Sequence, residues 1–239
     1  MISFIIPTRN EEAVIEKILR CLSAYKGEKE IIISDGKSTD KTIAIAKRYF
    51  AMVIEGRDNG VQRISIGKND GARASHGEYL LFLDADVYIP EINSFFQKAI
   101  TLFESNSKLV GLTVSIRVFE ESETLTDKIV FSIFNFYNWI LNNYLGSGAA
   151  GGEFQMVRRE VFEKLGGYGE QIVASEDYEF FQRVARVGKT YLAKDLVIFH
   201  TGRRAHKVGW PKLLTQWLLN GIFVFFSGKA YSKEWKVIR

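Results

Sequence analysis

Tyr79-Leu80-Leu81-Phe82-Leu83-Asp84-Ala85-Asp86 is a run of core-type residues that ends in two carboxylates separated by one position. The apolar part has the length and composition of a buried strand. Alternation along an extended chain sends Asp84 and Asp86 toward the same side at its carboxyl end. Such a pair suits a hard cation. Oxygen donors favour Mg2+ or Mn2+, which keep waters and take substrate phosphates as further ligands, so a diphosphate is the natural partner. Two acids in a solvated turn are the other reading, and the position directly behind a buried strand favours the metal.

Working outward, the chain upstream alternates two kinds of segment. Residues 2–6, 30–34 and 52–55 are short, apolar or β-branched and bounded by turn residues, which predicts three more buried strands. Between the first two, Val14, Ile15, Ile18, Leu19 and Leu22 recur at helical spacing over 11–25. Residues 40–49 repeat the pattern behind Asp40 as a helix N-cap. This succession predicts an α/β fold whose mostly parallel central sheet is flanked by helices. Ligands of such sheets sit in the loops at the carboxyl ends of strands. The loops over 7–12, 35–40 and 84–86 each carry carboxylates or hydroxyls there. In the second, a turn and a helix cap account for Asp40 and Ser38, whereas Asp35 is placed to accept hydrogen bonds from a base or ribose.

Downstream, residues 92–104 and 127–145 predict helices, 109–119 a long strand, and 175–187 a helix with Tyr178, Phe181, Val184 and Ala185 on one face. Residues 210–226 predict a strongly apolar helix. Gly146, Gly148, Gly151 and Gly152 mark a loop that takes positive φ or approaches a ligand closely. No repeat or linker divides the 239 residues, so one domain is expected. Its functional parts are a donor half over 1–90, an acceptor half over 91–205 and a C-terminal amphipathic helical extension over 206–239.

A composition of 46% hydrophobic and 25% charged residues with three prolines excludes a disordered or low-complexity chain. Cys21 is the single cysteine, no zinc-type Cys/His spacing occurs, and no basic leader precedes Ile2, so a cytoplasmic setting is expected. The formal charge of +4 is compatible with anionic partners. Pro7-Thr8-Arg9-Asn10 stands where a dinucleotide oxidoreductase would carry G-x-G-x-x-G. A nucleic-acid binder would leave three acidic strand-end loops unexplained, and no nucleic acid is expected as a partner.

The succession of Phe4-Ile5-Ile6-Pro7-Thr8-Arg9-Asn10-Glu11-Glu12, Ser34-Asp35-Gly36-Lys37-Ser38-Thr39-Asp40, Lys68-Asn69-Asp70-Gly71-Ala72-Arg73-Ala74 and Gly77 to Asp86 resembles family 2 glycosyltransferases of the GT-A fold. The resemblance implies a nucleotide diphosphate sugar donor (UDP-, GDP- or dTDP-linked) and Mn2+ or Mg2+ as cofactor. It implies that Pro7, Thr8, Glu11 and Asp35 line the nucleoside pocket and that Asp84, Ala85 and Asp86 meet donor and metal. Lys68 and Arg73, with Arg63 behind them, are candidates for base or diphosphate contacts. A solvated basic helix face is the other reading of all three.

The second half resembles the same family in Gly151-Gly152-Glu153-Phe154-Gln155-Met156-Val157-Arg158-Arg159, Gly166-Gly167-Tyr168 and Ser175-Glu176-Asp177-Tyr178-Glu179. In the family an acid of the Glu176-Asp177 pair takes the proton of the acceptor hydroxyl, and Asp177 is the candidate. A first-turn position lets the helix dipole keep it ionised. The resemblance also implies inversion at the anomeric carbon. His200 closes an apolar strand as a ligand of metal or phosphate, or as a structural histidine. Arg203 and Arg204 are placed to close over a diphosphate or face an anionic acceptor. A Q-x-x-R-W motif is absent, which favours transfer of a single sugar to an acceptor hydroxyl. The rival activities are sugar transfer to a polyprenyl phosphate, which needs no base, and silent nucleotide-sugar binding.

The helices over 129–145 and 210–226 are rich in aromatics but interrupted by Asn135, Asn138, Gln216 and Asn220, so neither has the roughly eighteen unbroken apolar residues of a span. Core or homodimer helices explain them. Interfacial helices flanked by Lys207, Lys212 and Lys229 explain them too, with peripheral contact to the cytoplasmic membrane face and a lipid-linked rather than a free sugar acceptor.

Overall fold

Ile2, Phe4 and Ile6 pack on one face of the first strand and Ile5 on the other, and all four are fully buried. Both faces of a strand this apolar need cover, which a sheet flanked by helices provides. A computed structural model describes residues 1–57 and 63–232 of this arrangement. Residues 233–239 of the expected C-terminal extension lie outside the described residues.

The first half runs β1 (Ile2–Thr8), α1 (Ile15–Ser23), β2 (Lys29–Asp35), α2 (Thr42–Arg48), β3 (Met52–Glu55), α3 (Ile64–Ala74) and β4 (Tyr79–Leu83). The second runs α4 (Ile92–Ser105), β5 (Leu109–Val118), α5 (Leu125–Ile140) with a π-helical turn over Leu141–Leu145, β6 (Phe154–Arg158), α6 (Arg159–Leu165), α7 (Glu176–Ala185), β7 (Lys189–His200), α8 (Arg203–Val208) and α9 (Trp210–Ser227). One seven-stranded sheet, ordered β3-β2-β1-β4-β6-β5-β7, carries both halves. It is parallel except at β6, which runs antiparallel to β4 and β5. The mixed α/β architecture expected from the sequence is therefore present.

Three departures from expectation have local causes. The short strand β6 was hidden inside a glycine-led motif; it is recognised by pairing with β4, with Leu81 opposite Met156. Asp40 stands outside the first turn of α2 yet still caps it, since its Oδ1 accepts from the Thr42 backbone N–H at 2.9 Å. The helix expected over 210–226 is present as α9, but the residues before it form a separate short helix, α8, set off at Gly209, whose φ of +86° glycine adopts without steric cost.

α1, α2, α4 and α5 cover one face of the sheet, and α3, α6 and α7 the other. α3 lies close against β1 because Gly71 faces Ile5: a Cβ at Gly71 would stand 2.4 Å from Ile5 Cγ2. That close seat carries Lys68, one turn earlier on the same helix, into the interior. Gly71→Val is expected to push α3 off the sheet and cost about 1–3 kcal/mol of stability, as overpacking does. Urea unfolding monitored by circular dichroism checks it.

Candidate active site

β1 pairs in parallel with both β2 and β4, with Thr8 opposite Asp35, so the carboxyl ends of three strands lie side by side. Their loops open on one cleft of about 1360 Å³. Pro7, Thr8, Glu11, Lys68, Asp84, Ala85, Asp86, Glu176, Asp177 and His200 all line it, with Arg63 at its wall.

Two expected residues lie elsewhere. Asp35 is fully buried behind the wall, where its carboxylate accepts from Thr8 Oγ1 at 3.0 Å, Ser38 Oγ at 2.6 Å and the Ser38 N–H at 2.7 Å. It fixes the loop, while Gly36 reaches the cleft. Arg73 lies outside the cleft lining, at the far end of α3, and pairs with Asp70 at 2.6 Å and Glu170 at 3.2 Å. The solvated-face reading fits Arg73, which is half exposed. It fails for Lys68, which has no exposed surface and donates to Glu176 Oε1 at 3.1 Å. Burial works against the ammonium charge, but Glu176, Asp177 and Asp84 outweigh it and hold the Lys68 pKa above its ordinary value.

Gly152 marks the point where these groups converge. A methyl there would lie 3.3 Å from Asp177 Oδ2, 3.7 Å from Lys68 Nζ and 3.9 Å from Asp84 Oδ1. Glycine leaves that volume to a ligand. The surrounding chain holds the acids in place: Gln155 Nε2 donates to the Asp177 carbonyl at 2.8 Å, and Tyr168 Oη donates to Gln155 Oε1 at 2.6 Å. The Tyr168 ring packs on Phe82 and Phe180 and lies under Lys68 Nζ at 4.9 Å.

Burial raises the Asp84 carboxyl to about 7, with the nearby charges of Glu153 and Asp86 adding to it. Asp177 is likewise raised to about 7 by burial and then by Glu176. The expectation that the helix dipole keeps Asp177 well ionised is thus corrected: desolvation and a like charge prevail over the dipole. Glu153, which the sequence showed only as part of a motif, is a further, partly buried acid of this crowd, its pKa also raised by desolvation. An acid directly behind a glycine pair was the available signal.

Arg203 bridges two of the strand-end loops. Its guanidinium donates to Glu11 at 2.7 and 3.1 Å and lies 3.3 Å from Asp86 Oδ2, which also accepts from Thr201 Oγ1. His200 Nδ1 accepts a 3.4 Å bond from the Gly202 N–H, and Nε2 is buried without a partner. Its ring meets Phe131 edge-on at 5.0 Å. Burial lowers the His200 pKa.

A divalent cation fits this chemistry. Asp84 and Asp86 offer oxygen donors, and the pKa of about 7 that desolvation and then the acids Glu153 and Asp86 give Asp84 marks a place where added positive charge would be favourable. Among the described residues, no three His, Cys, Asp or Glu side chains form a complete cage. Magnesium-type ions shared with substrate phosphates are held by one or two carboxylates and need none.

Comparison with known proteins bears on the family and the fold. The model of the family "Glycosyl transferase family 2" matches residues 3–166. An uncharacterized glycosyltransferase of Haemophilus influenzae is 27% identical over 199 residues, covering 77% of this chain and 62% of its own length. Among solved structures, a mannosyltransferase from Pyrobaculum calidifontis in complex with GDP-Man and Mn2+ superposes with a TM-score of 0.74 at 21% identity, over 96% of this chain and 65% of that one. Glucosyl-3-phosphoglycerate synthase from Mycobacterium tuberculosis, solved with Mn2+ and UDP, gives 0.63 at 18% identity, over 97% and 81%. These neighbours share the GT-A fold. The chain spans less than two thirds of the first relative and of the first structure.

The raised Asp84 pKa has a consequence for stability. The folded state keeps a proton that the unfolded state releases near the ordinary carboxylate value. The stability this contributes is complete below about pH 4 and is lost as pH rises through about 7. Asp84→Asn removes that dependence. In metal-free thermal melts the wild-type Tm is expected to fall more steeply than the variant's from about pH 5 to about pH 8, by about 2–4 °C for each kcal/mol of linkage. Parallel profiles would show that Asp84 is ionised throughout.

Proposed function

Because the chain belongs to glycosyl transferase family 2, we propose that it moves a single sugar from a nucleotide diphosphate donor to an acceptor hydroxyl, using Mn2+ or Mg2+ and inverting the anomeric configuration. The observation that carries this reading is the convergence of Asp84, Lys68 and Asp177 on the space in front of Gly152. A metal-type carboxylate, a buried cation and a proton-accepting carboxylate meet there.

In this reading residues 1–90 hold the donor and 91–205 the acceptor. Pro7, Thr8, Glu11 and Gly36 border the nucleoside, with Asp35 holding Thr8 and Ser38 from behind. Asp84 and Asp86 hold the metal, which when bound supplies Lewis-acid neutralisation of the departing diphosphate. Arg203, already between Glu11 and Asp86, adds positive charge on that side. Lys68 binds Glu176 and so leaves Asp177 as the acid of the pair free to take the acceptor proton. A carboxylate titrating near 7 is well matched to that task at neutral pH. Attack from the side opposite the diphosphate, with Asp177 receiving the proton, gives inversion. The neighbours bound to GDP-Man and to UDP, each with Mn2+, support a nucleotide-sugar donor and a divalent metal.

Calorimetric titration with UDP, GDP and dTDP, each with and without Mn2+, tests the donor site. One nucleotide is expected to bind in a metal-dependent way, with affinity reduced at least about tenfold in Asp84→Ala/Asp86→Ala, a loss of about 1.4 kcal/mol or more. Equal binding by wild type and variant would contradict the assignment of the two aspartates.

A further inference from the structure

The cleft does not end at the carboxylates. It continues between α5 and α9, where Phe134, Tyr137, Trp217, Leu218, Ile222 and Phe226 line it. Phe131 joins the two parts, its ring 5.0 Å from His200 and 5.5 Å from Trp210. Asp127 locks this junction: its buried carboxylate accepts from Trp210 Nε1 at 2.7 Å and pairs with His206 at 2.8 Å. A cleft that is acidic at one end and aromatic at the other fits an amphiphile. A free sugar would meet few hydrogen-bonding groups in the apolar part and gain little from filling it.

The same helices turn apolar side chains to the outside. Ile129 is 52% exposed, Ile133 64%, Phe136 58% and Leu214 42%, all outside the cleft lining. α9 contains no Asp or Glu; exposed Lys207 and Lys229 flank it, and exposed Lys212 stands in its first turn. Apolar faces edged by lysines match the two components of an anionic bilayer surface, its acyl boundary and its head groups. No helix among the described residues is long and apolar enough to cross a membrane, so such a face would lie within the interface.

We propose that the acceptor is a membrane lipid with a polar head, drawn from an anionic bilayer surface, its hydrocarbon chain lying between α5 and α9 and its head reaching Asp177. The inference rests on the transferase reading above and names its acceptor class. In the transfer step a head-group oxygen forms the new bond to the anomeric carbon. The bond from that carbon to the diphosphate oxygen breaks, and its electron pair leaves with the diphosphate. A hydroxyl head gives its proton to Asp177, whereas a fully ionised phosphate head attacks without releasing one.

Flotation of the full chain with vesicles, without nucleotide, tests the docking. Wild-type protein is expected to float with mixed phosphatidylcholine and phosphatidylglycerol vesicles more than with phosphatidylcholine alone. Ile133→Asp/Leu214→Asp, at exposed positions outside the cleft lining, is expected to lower the partition about tenfold or more. Doping the anionic vesicles with diacylglycerol in one arm and a long-chain alkyl phosphate in the other identifies the head by which one strengthens binding. No gain from either overturns the lipid acceptor. Wild-type protein left at the bottom with every vesicle also overturns it, and a concentration-dependent dimer lost in the double variant would then give the face to a second copy of the chain. Nucleotide titration of the same preparations separates the two readings: missing nucleotide affinity counts against the transferase, missing flotation against the lipid.

Discussion

The site depends on one buried cation. Lys68 lies in the interior with its ammonium on Glu176, close to Asp177 and Asp84. An ammonium taken out of water is tolerated only when it is paired, and removing one partner of such a pair leaves the other charge stranded at a cost of about 3–5 kcal/mol. Lys68 comes from α3 in the first half of the chain, Glu176 and Asp177 from α7 in the second. The ion pair therefore holds the two halves in one register, and the same charge keeps a crowd of carboxylates compatible with folding.

Everything around that pair is arranged by the sheet. Parallel pairing of β1 with β2 and β4 sets three polar loops at one edge, and β6 reverses direction beside β4 so that the Gly151-Gly152-Glu153 segment enters at the same edge. The aromatic packing of Phe82, Tyr168 and Phe180 then fixes the start of α7. Ser175, just before that helix, holds a φ of +63°, a left-handed conformation that few residues other than glycine adopt readily. A non-glycine residue held there, directly ahead of Glu176 and Asp177, is local strain sustained by the surrounding packing.

Much of this was legible in the residues. Short apolar runs bounded by turns gave β1 to β4 nearly to the residue, but the expectation of burial fails for β3, which lies at the sheet edge with Met52 and Glu55 exposed. Asp84 and Asp86 were legible from their place directly behind β4: both line the cleft, although they stand in a turn beyond the strand, where alternation no longer applies. Burial was not. Lys68 and Arg73 belong to one helix and look alike in sequence, yet one is in the core and the other in solvent, which the close approach at Gly71 decides. The ionisation of Asp177 was misjudged for the same reason: a helix dipole can be read from local sequence, whereas desolvation by distant segments cannot. Asp35 was correctly placed at a strand end, but Thr8 and Ser38 consume its acceptors. The aromatic residues of α5 and α9 were visible as helices, and only their convergence on the same cleft gives them a shared role.

In the proposed transfer Asp177, raised toward neutrality by desolvation and by Glu176, receives the acceptor proton. The most direct measurement is the transfer rate against pH for wild type and Asp177→Asn at saturating donor and metal. This role predicts a wild-type rate that climbs through about pH 7 and a variant slower by about 10²- to 10⁴-fold that retains nucleotide affinity and lacks that rise. A variant with the wild-type rate and profile would contradict it.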